Sequence, residues 1–344
     1  MNEVIDAWTH IMPPAYLALL RAGHSETGRM KRWLTLTTLH DLDARFWLMD
    51  RFDGYRQVLT LSFPPIEELF APKDAADAAR VANDGLADLV ARHPDRFVGF
   101  VAALSMLDTK TAVAEVERAV KLGARGFQIP TNILGRPLDH PDFEAVFEAI
   151  AKTGLAIWLH PTRTADAPDY TSEKQSRFEI WWCFGWPYES TAAMSRLVFS
   201  GLFDRYPNLR VFTHHMGGMV PYFAGRISQG LGAQMGTRTG GQEADLLPVQ
   251  LKRPPIEYFR NFYADTALSG DVPAMACGLE FFKVPHVMFA SDFPFDAEGG
   301  AFMVRETLRG IDQLNLNAAD TQAIHQRNVL AFLGPEEVKA RQRS

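Results

Sequence analysis

The chain has 344 residues, with 35 Lys and Arg against 41 Asp and Glu, a formal net charge of −6 and 47% hydrophobic residues. That balance excludes a disordered, collagenous or fibrous chain, and the mild acidity without a long basic run excludes nucleic acid or an anionic membrane as the main partner. Cys183 and Cys277 are too few for a disulfide framework and sit in no metal-ligand spacing, so they read as small buried hydrophobes of a reducing compartment. The opening Met1 to Asp6 carries no basic or apolar signal region, and no apolar run is long enough to span a bilayer. The expectation is a cytoplasmic protein with no membrane partner.

Short β-type runs recur along the chain, each followed by a longer segment of helical period. They are Val4–Trp8, Gln57–Leu61, Phe97–Val101, Gly126–Ile129, Leu155–Leu159, Leu209–Thr213, Asn261–Asp265 and Val287–Ala290. Most are apolar on both faces, as parallel strands buried between a core and a helical layer must be. Between them, Ala75 to Arg92 has apolar residues three and four apart; Thr109 to Leu122 opens on a Thr cap and stops before Gly123; Pro141 to Thr153 stops before Gly154; Ala318 to Phe332 precedes Gly334. Alternating strand and helix with eight strands predicts an α/β protein, a (β/α)8 TIM barrel, as one domain spanning residues 1–344. About fifty residues separate strands one and two, and almost as many separate strands five and six. These are the expected insertions. The first holds Arg29, Lys31 and Arg32; the second holds the run Trp181-Trp182-Cys183-Phe184-Gly185-Trp186.

In such a barrel the reactive groups stand at the C-terminal ends of the strands. Strand one ends on Trp8-Thr9-His10, strand five on His160-Pro161, strand six on His214-His215, strand seven on Asp265 and strand eight runs on to Asp292. His10, His160 and Asp292 offer two imidazoles and a carboxylate, a three-ligand set that leaves a divalent metal open to water or substrate. A further imidazole, His215, is then free for proton transfer. Because side chains alternate along a strand, His214 and His215 are not expected to enter the barrel in the same direction, and the residues alone do not say which enters. Gly217-Gly218 allows a close turn there. Trp182 and Trp186 offer flat surfaces suited to a planar substrate, and Arg226 a guanidinium suited to a carboxylate.

The opening Ile5-Asp6-Ala7-Trp8-Thr9-His10-Ile11-Met12-Pro13 resembles the Ile-Asp-x-His-x-His-x-x-Pro motif of the amidohydrolase superfamily. The chain looks most similar to its branch of aminocarboxymuconate semialdehyde decarboxylase and related non-oxidative aromatic-acid decarboxylases. Supporting stretches are Trp158-Leu159-His160-Pro161, Gly185 to Thr191, Phe203 to Leu209, His215-Met216-Gly217-Gly218, Gly225-Arg226-Ile227 and Ser291-Asp292-Phe293-Pro294-Phe295. The resemblance implies one divalent metal, usually zinc with manganese as the alternative, and no organic cofactor. Residue by residue, it implies that His10, His160 and Asp292 bind the metal, that His215 is the catalytic histidine acting with Asp292, that Trp182 lines the site, and that Arg226 reaches the partner's substrate in a homodimer. The run Gly126-Phe127-Gln128-Ile129 lacks the bridging lysine of binuclear members.

One position departs. Where the motif has its first metal-binding histidine this chain has Trp8, which brings no ligand, shares a strand face with His10 and is expected to crowd the metal and contact the substrate. The reading is a metal-dependent decarboxylase of an aromatic or unsaturated small-molecule carboxylate. The alternatives are a hydrolase or hydratase using a metal-bound water on the same scaffold, and a barrel that lost catalysis with its first ligand.

Overall fold

A computed structural model describes residues 3–23, 28–233 and 250–334. Among these, the eight predicted runs all form strands: β1 (Val4–Ile11), β2 (Tyr55–Leu61), β3 (Phe97–Phe100), β4 (Gly126–Pro130), β5 (Ala156–His160), β6 (Val211–Thr213), β7 (Tyr263–Asp265) and β8 (Val287–Met288). Every pairing between them is parallel. One sheet runs β1-β2-β3 and a second runs β4-β5-β6-β7-β8. The chain itself joins them. Beyond β3, the Val101 amide still donates to Leu59 O at 2.9 Å, while Ala102–Ala103 pairs with β4. At the other edge Ala7 N–H donates to Phe289 O and His10 N–H to Phe293 O, both at 2.8 Å, and Thr9 bridges to Phe293. The cylinder is closed, as a TIM barrel requires.

The period-2 pattern of the strands sorts their side chains into two cores. Trp8, Val101, Trp158, Phe212 and Met288 pack together in the interior with Phe332, while Phe127, Ile129, Ile157 and Leu159 face the helical layer. On β5 this alternation puts Ala156, Trp158 and His160 on the inner side. Gly126 is small because the Trp158 ring lies where a Cβ would go, 2.2 Å away.

Helix ends differ from the sequence reading in instructive ways. Pro72–Arg92 starts three residues earlier than expected, with Pro72 in the first helical position, where its missing N–H costs nothing. Asp108 and not Thr109 caps Thr109–Leu122, its carboxylate accepting from the amides of Lys110 and Thr111. The segment from Pro141 divides into a 3-10 turn, Pro141–Phe143, and an α-helix, Glu144–Thr153. The last run contains a π-helical turn, Ala323–Arg327, that turns His325 into the interior. Cys183 is exposed and Cys277 half-buried, both as free thiols, which corrects the reading of them as buried hydrophobes. Among the described residues no helix is long and apolar enough to cross a membrane.

Glu67, in the loop after β2, ties that loop to the one after β3: its buried carboxyl accepts from Met106 N–H at 2.9 Å. Burial raises its pKa from 4.5 to about 7. The folded chain therefore holds a proton there that the unfolded chain has released. The stabilisation is complete below pH 4.5 and is lost as pH rises through about 7. Glu67→Gln keeps the acceptor without the charge. Relative to the parent, it should gain on the order of 3 kcal/mol of stability between those pH values, read from denaturant midpoints. Parallel profiles for the two chains would contradict this.

Candidate active site

The inner face at the C-terminal end of the barrel is a cluster of imidazoles around Asp292. His10, near the end of β1, has Nδ1 against Leu61 O at 3.2 Å and Thr60 Oγ1 at 3.1 Å. With Nδ1 set against the carbonyl, Nε2 is the nitrogen turned into the site. Nε2 is buried, makes no well-formed hydrogen bond, and faces Asp292 Oδ1 at 3.3 Å. His160, at the end of β5, turns Nδ1 to Pro161 O at 2.7 Å and stacks on Phe63 with ring centres 3.5 Å apart. Burial lowers the pKa of both rings, and the charge of His214 lowers each further. Both are neutral imidazoles with their outer nitrogens fixed, the state in which histidine ligates metal.

His214 pairs through Nδ1 with Asp265, at the end of β7, and through Nε2 with Asp292 Oδ1 at 3.2 Å. Burial would lower its pKa, but Asp265 and Asp292 more than offset it and raise the ring to about 9. Burial would likewise raise Asp292, and the imidazoles of His214, His10 and His215 outweigh it, holding the carboxyl well below the ordinary range. His215 brings Nε2 to 3.6 Å from Asp292 Oδ2, and its buried Nδ1 is without a partner.

Both histidines of the adjacent pair thus reach one carboxylate, which corrects the expectation from strand alternation. The reason lies in the backbone. The strand ends at Thr213, and His215, Met216, Gly217 and Gly218 all have positive φ, from 51° to 74°. The chain coils over the barrel mouth instead of continuing extended, so the two-residue period no longer applies. Asp265 anchors the coil by accepting the Met216 amide at 2.9 Å. At Gly218 a side chain has no room: a Cβ would lie 2.3 Å from Pro187 O. Asp292 also has a positive φ, 66°, a conformation Asp adopts more readily than most residues.

Among the described residues, two sets of potential ligand atoms lie within 4.8 Å of one another: His10, His160 and His214, and His214, His215 and Asp292. The three residues expected to bind metal are therefore drawn together partly through His214, which no role was given in the sequence. The donor set, neutral imidazoles and an ionised carboxylate, fits a single divalent ion.

The aromatic residues fall differently from expectation. Trp8 is fully buried beneath the cluster, against Phe212 and stacked on His214, so it offers no surface to a substrate. The short helix Ile180–Cys183 turns successive residues by about 100°. Trp181 consequently packs edge-on against Trp186, while Trp182 is 39% exposed with its indole N–H on Glu179. Trp186 lies beside the cluster, 5.7 Å from His160 and 6.3 Å from His215. Phe63, Trp33 and Phe295 supply the remaining walls, Phe295 lying 5.1 Å from His10. Arg226 is on the exposed surface. Lys31 is exposed, and the side chains of Arg29 and Arg32 lie outside those described.

Arg45 escaped the sequence reading altogether. It is fully buried and donates to His10 O at 2.8 Å, to Gln57 Oε1 at 2.8 Å and to Thr9 Oγ1 at 3.1 Å, bracing the end of β1. Its only signal was a charge at helical spacing from Leu48 and Met49, the buried apolar residues of the helix Leu42–Met49.

Residues 5–334 match the amidohydrolase family. The chain belongs to that family. Among its relatives, the 2-amino-3-carboxymuconate-6-semialdehyde decarboxylase of Dictyostelium discoideum is 28% identical, over 96% of this chain and 91% of its own. A gamma-resorcylate decarboxylase of Polaromonas sp. is 32% identical over 74% and 77%. The crystal structure of 5-carboxyvanillate decarboxylase from Sphingomonas paucimobilis is similar with a TM-score of 0.79 at 25% identity, covering 97% of this chain and 99% of that one. A dihydroxybenzoic acid decarboxylase from Polaromonas sp., solved with manganese and 2-nitroresorcinol, has a TM-score of 0.77 at 25% identity, with 97% of each chain covered. This amidohydrolase chain thus shares its barrel with proteins named as decarboxylases, one of them solved with manganese bound.

Gly218→Ala should push the coil off Pro187 and displace both histidines, lowering stability by about 2 kcal/mol or more and reducing the metal bound at saturation. Chemical denaturation and elemental analysis measure the two effects. An unchanged midpoint with full metal content would contradict the close packing.

Proposed function

We propose that this protein is a metal-dependent non-oxidative decarboxylase of an aromatic carboxylic acid, with a hydroxylated benzoate as the substrate class. The observation that carries the reading is the convergence of His10, His160, His215 and Asp292 beneath a mouth walled by Phe63, Trp186 and Phe295. The relatives act on gamma-resorcylate and 5-carboxyvanillate, planar acids that such walls would hold. The segments after β1 and β5 are the insertions, and they contribute Trp33 and Trp186 to this mouth.

His10, His160 and Asp292 would hold one zinc or manganese ion, which when bound supplies positive charge to orient the substrate's oxygen atoms and to stabilise the charge that develops there. The residues then have distinct tasks. Phe63 and Trp186 fix the plane of the ring, and the aromatic walls exclude water. His215, with Nε2 turned to Asp292 Oδ2 and Nδ1 unpartnered, delivers a proton to the ring carbon that bears the carboxylate. The ring's π pair forms that C–H bond. Cleavage of the carbon–carboxylate bond then returns its pair to the ring, restoring aromaticity and releasing CO2. Asp292 holds the imidazolium in place until the proton leaves.

We also read Arg226 as a residue that acts across a homodimer, since Tyr222 and Phe223 beside it are 79% and 38% exposed. Light scattering should give twice the chain mass of 38.5 kDa; a monomer would remove that role.

With metal present, purified protein should release CO2 from at least one member of a hydroxybenzoate panel without incorporating solvent oxygen, and His215→Ala should lower kcat by about 10²–10⁴-fold. Products containing solvent oxygen would point to hydrolysis or hydration instead, and no turnover on any acid would contradict the reading.

A further inference from the structure

Trp8 stands where the opening motif would put a metal-binding histidine, and the cluster nevertheless contains a spare imidazole. His214 lies in both sets of closely grouped ligand atoms. Its ring is held on both faces: Trp8 stacks on one at 4.2 Å and 15°, and His215 stacks on it at 3.9 Å and 28°. Asp265, fully buried, takes Nδ1 and is itself fixed by the amides of Met216 at 2.9 Å and Ala267 at 3.2 Å. With Nδ1 committed to a carboxylate, Nε2 is the nitrogen that would exchange its proton for an ion, and it points at the same Asp292 Oδ1 that His10 Nε2 faces. A carboxylate behind an imidazole whose other nitrogen faces a shared acid and two more imidazoles is the arrangement of a metal ligand with its outer support.

We propose that His214 is the fourth metal ligand of this chain, supplied from the end of β6 in place of the one lost from β1 at Trp8, with Asp265 as its positioning residue. The proposal rests on the metal-dependent reading above and deepens it. Trp8 and His214 act as a pair. The indole fills the volume of the missing imidazole, and its flat face sets the plane of the replacement. Four protein ligands, His10, His160, His214 and Asp292, then surround the ion, and His215 is left outside the set for proton transfer.

Cobalt(II) titration of the apoprotein, followed by visible absorption and calorimetry, tests this without reference to turnover. The parent should bind one ion per chain with a defined d–d spectrum. His214→Asn, which keeps a polar group toward Asp265, should weaken binding a hundredfold or more and change the spectrum. His215→Asn should leave affinity within about threefold, and Trp8→His combined with His214→Asn should restore most of the lost affinity. Circular dichroism establishes that each variant is folded; should His214→Asn not fold, Asp265→Asn takes its place, with a tenfold or greater loss expected. Parent-like affinity and spectrum in a folded His214→Asn chain, or a greater loss in His215→Asn, would overturn the assignment and leave His214 as an imidazolium bridging two carboxylates. No ion bound by the parent would instead overturn the metal-dependent reading on which it stands.

Discussion

Asp292 is the fixed point of the molecule. Its carboxylate is largely shielded from water and kept ionised, which is costly unless charges and dipoles surround it. The imidazoles of His10, His214 and His215 do so, at 3.2 to 3.6 Å. They come from distant strands, so the carboxylate can be satisfied only if the barrel is closed in one register. The bond from His10 N–H to Phe293 O sets that register, because it fixes Asp292, one residue earlier, opposite the end of β1. Arg45 beneath His10, Asp265 behind His214 and the glycine turn over Pro187 all serve the same end. Each removes freedom from an imidazole that must meet the carboxylate.

Much of this was legible in the chain. The strands are dense in Val, Ile, Phe and Leu because both their faces are buried, so all eight were visible as runs, and the polar residues at their ends stood out as exceptions. What escaped notice depends on departures from regular backbone. Strand alternation predicted one inward histidine at 214–215; a coil with positive φ at His215 and beyond brings both in. A helical turn decides that Trp181 and not Trp182 meets Trp186, and a run of adjacent tryptophans holds no sign of where that turn starts. Arg45 was hidden because a buried guanidinium is recognisable only from the carbonyls it serves. Trp8 was noticed as an intruder, but its partner His214 is 206 positions away and their stacking leaves no local trace in the sequence.

The pairing of Trp8 with His214 changes how a missing motif residue should be weighed. A lost ligand suggests decay when the surrounding positions have also drifted toward ordinary core. Here the surroundings have been specialised instead: a carboxylate is buried behind the replacement ring, and the indole is seated flat on its face. Burying Asp265 would be costly without a partner of that kind. The shape and electrostatics of the pocket are those of a site kept in working order, beneath aromatic walls suited to a flat acid.

The most direct test of the central claim, that these side chains converge on a cation, is anomalous diffraction from crystals grown with manganese, recorded at the metal's absorption edge. The account predicts a single strong peak per chain, about 2.0–2.3 Å from nitrogen atoms of His10 and His160 and from an oxygen of Asp292. An electron-density map with no such peak, or with the ion bound away from the strand ends, would contradict it.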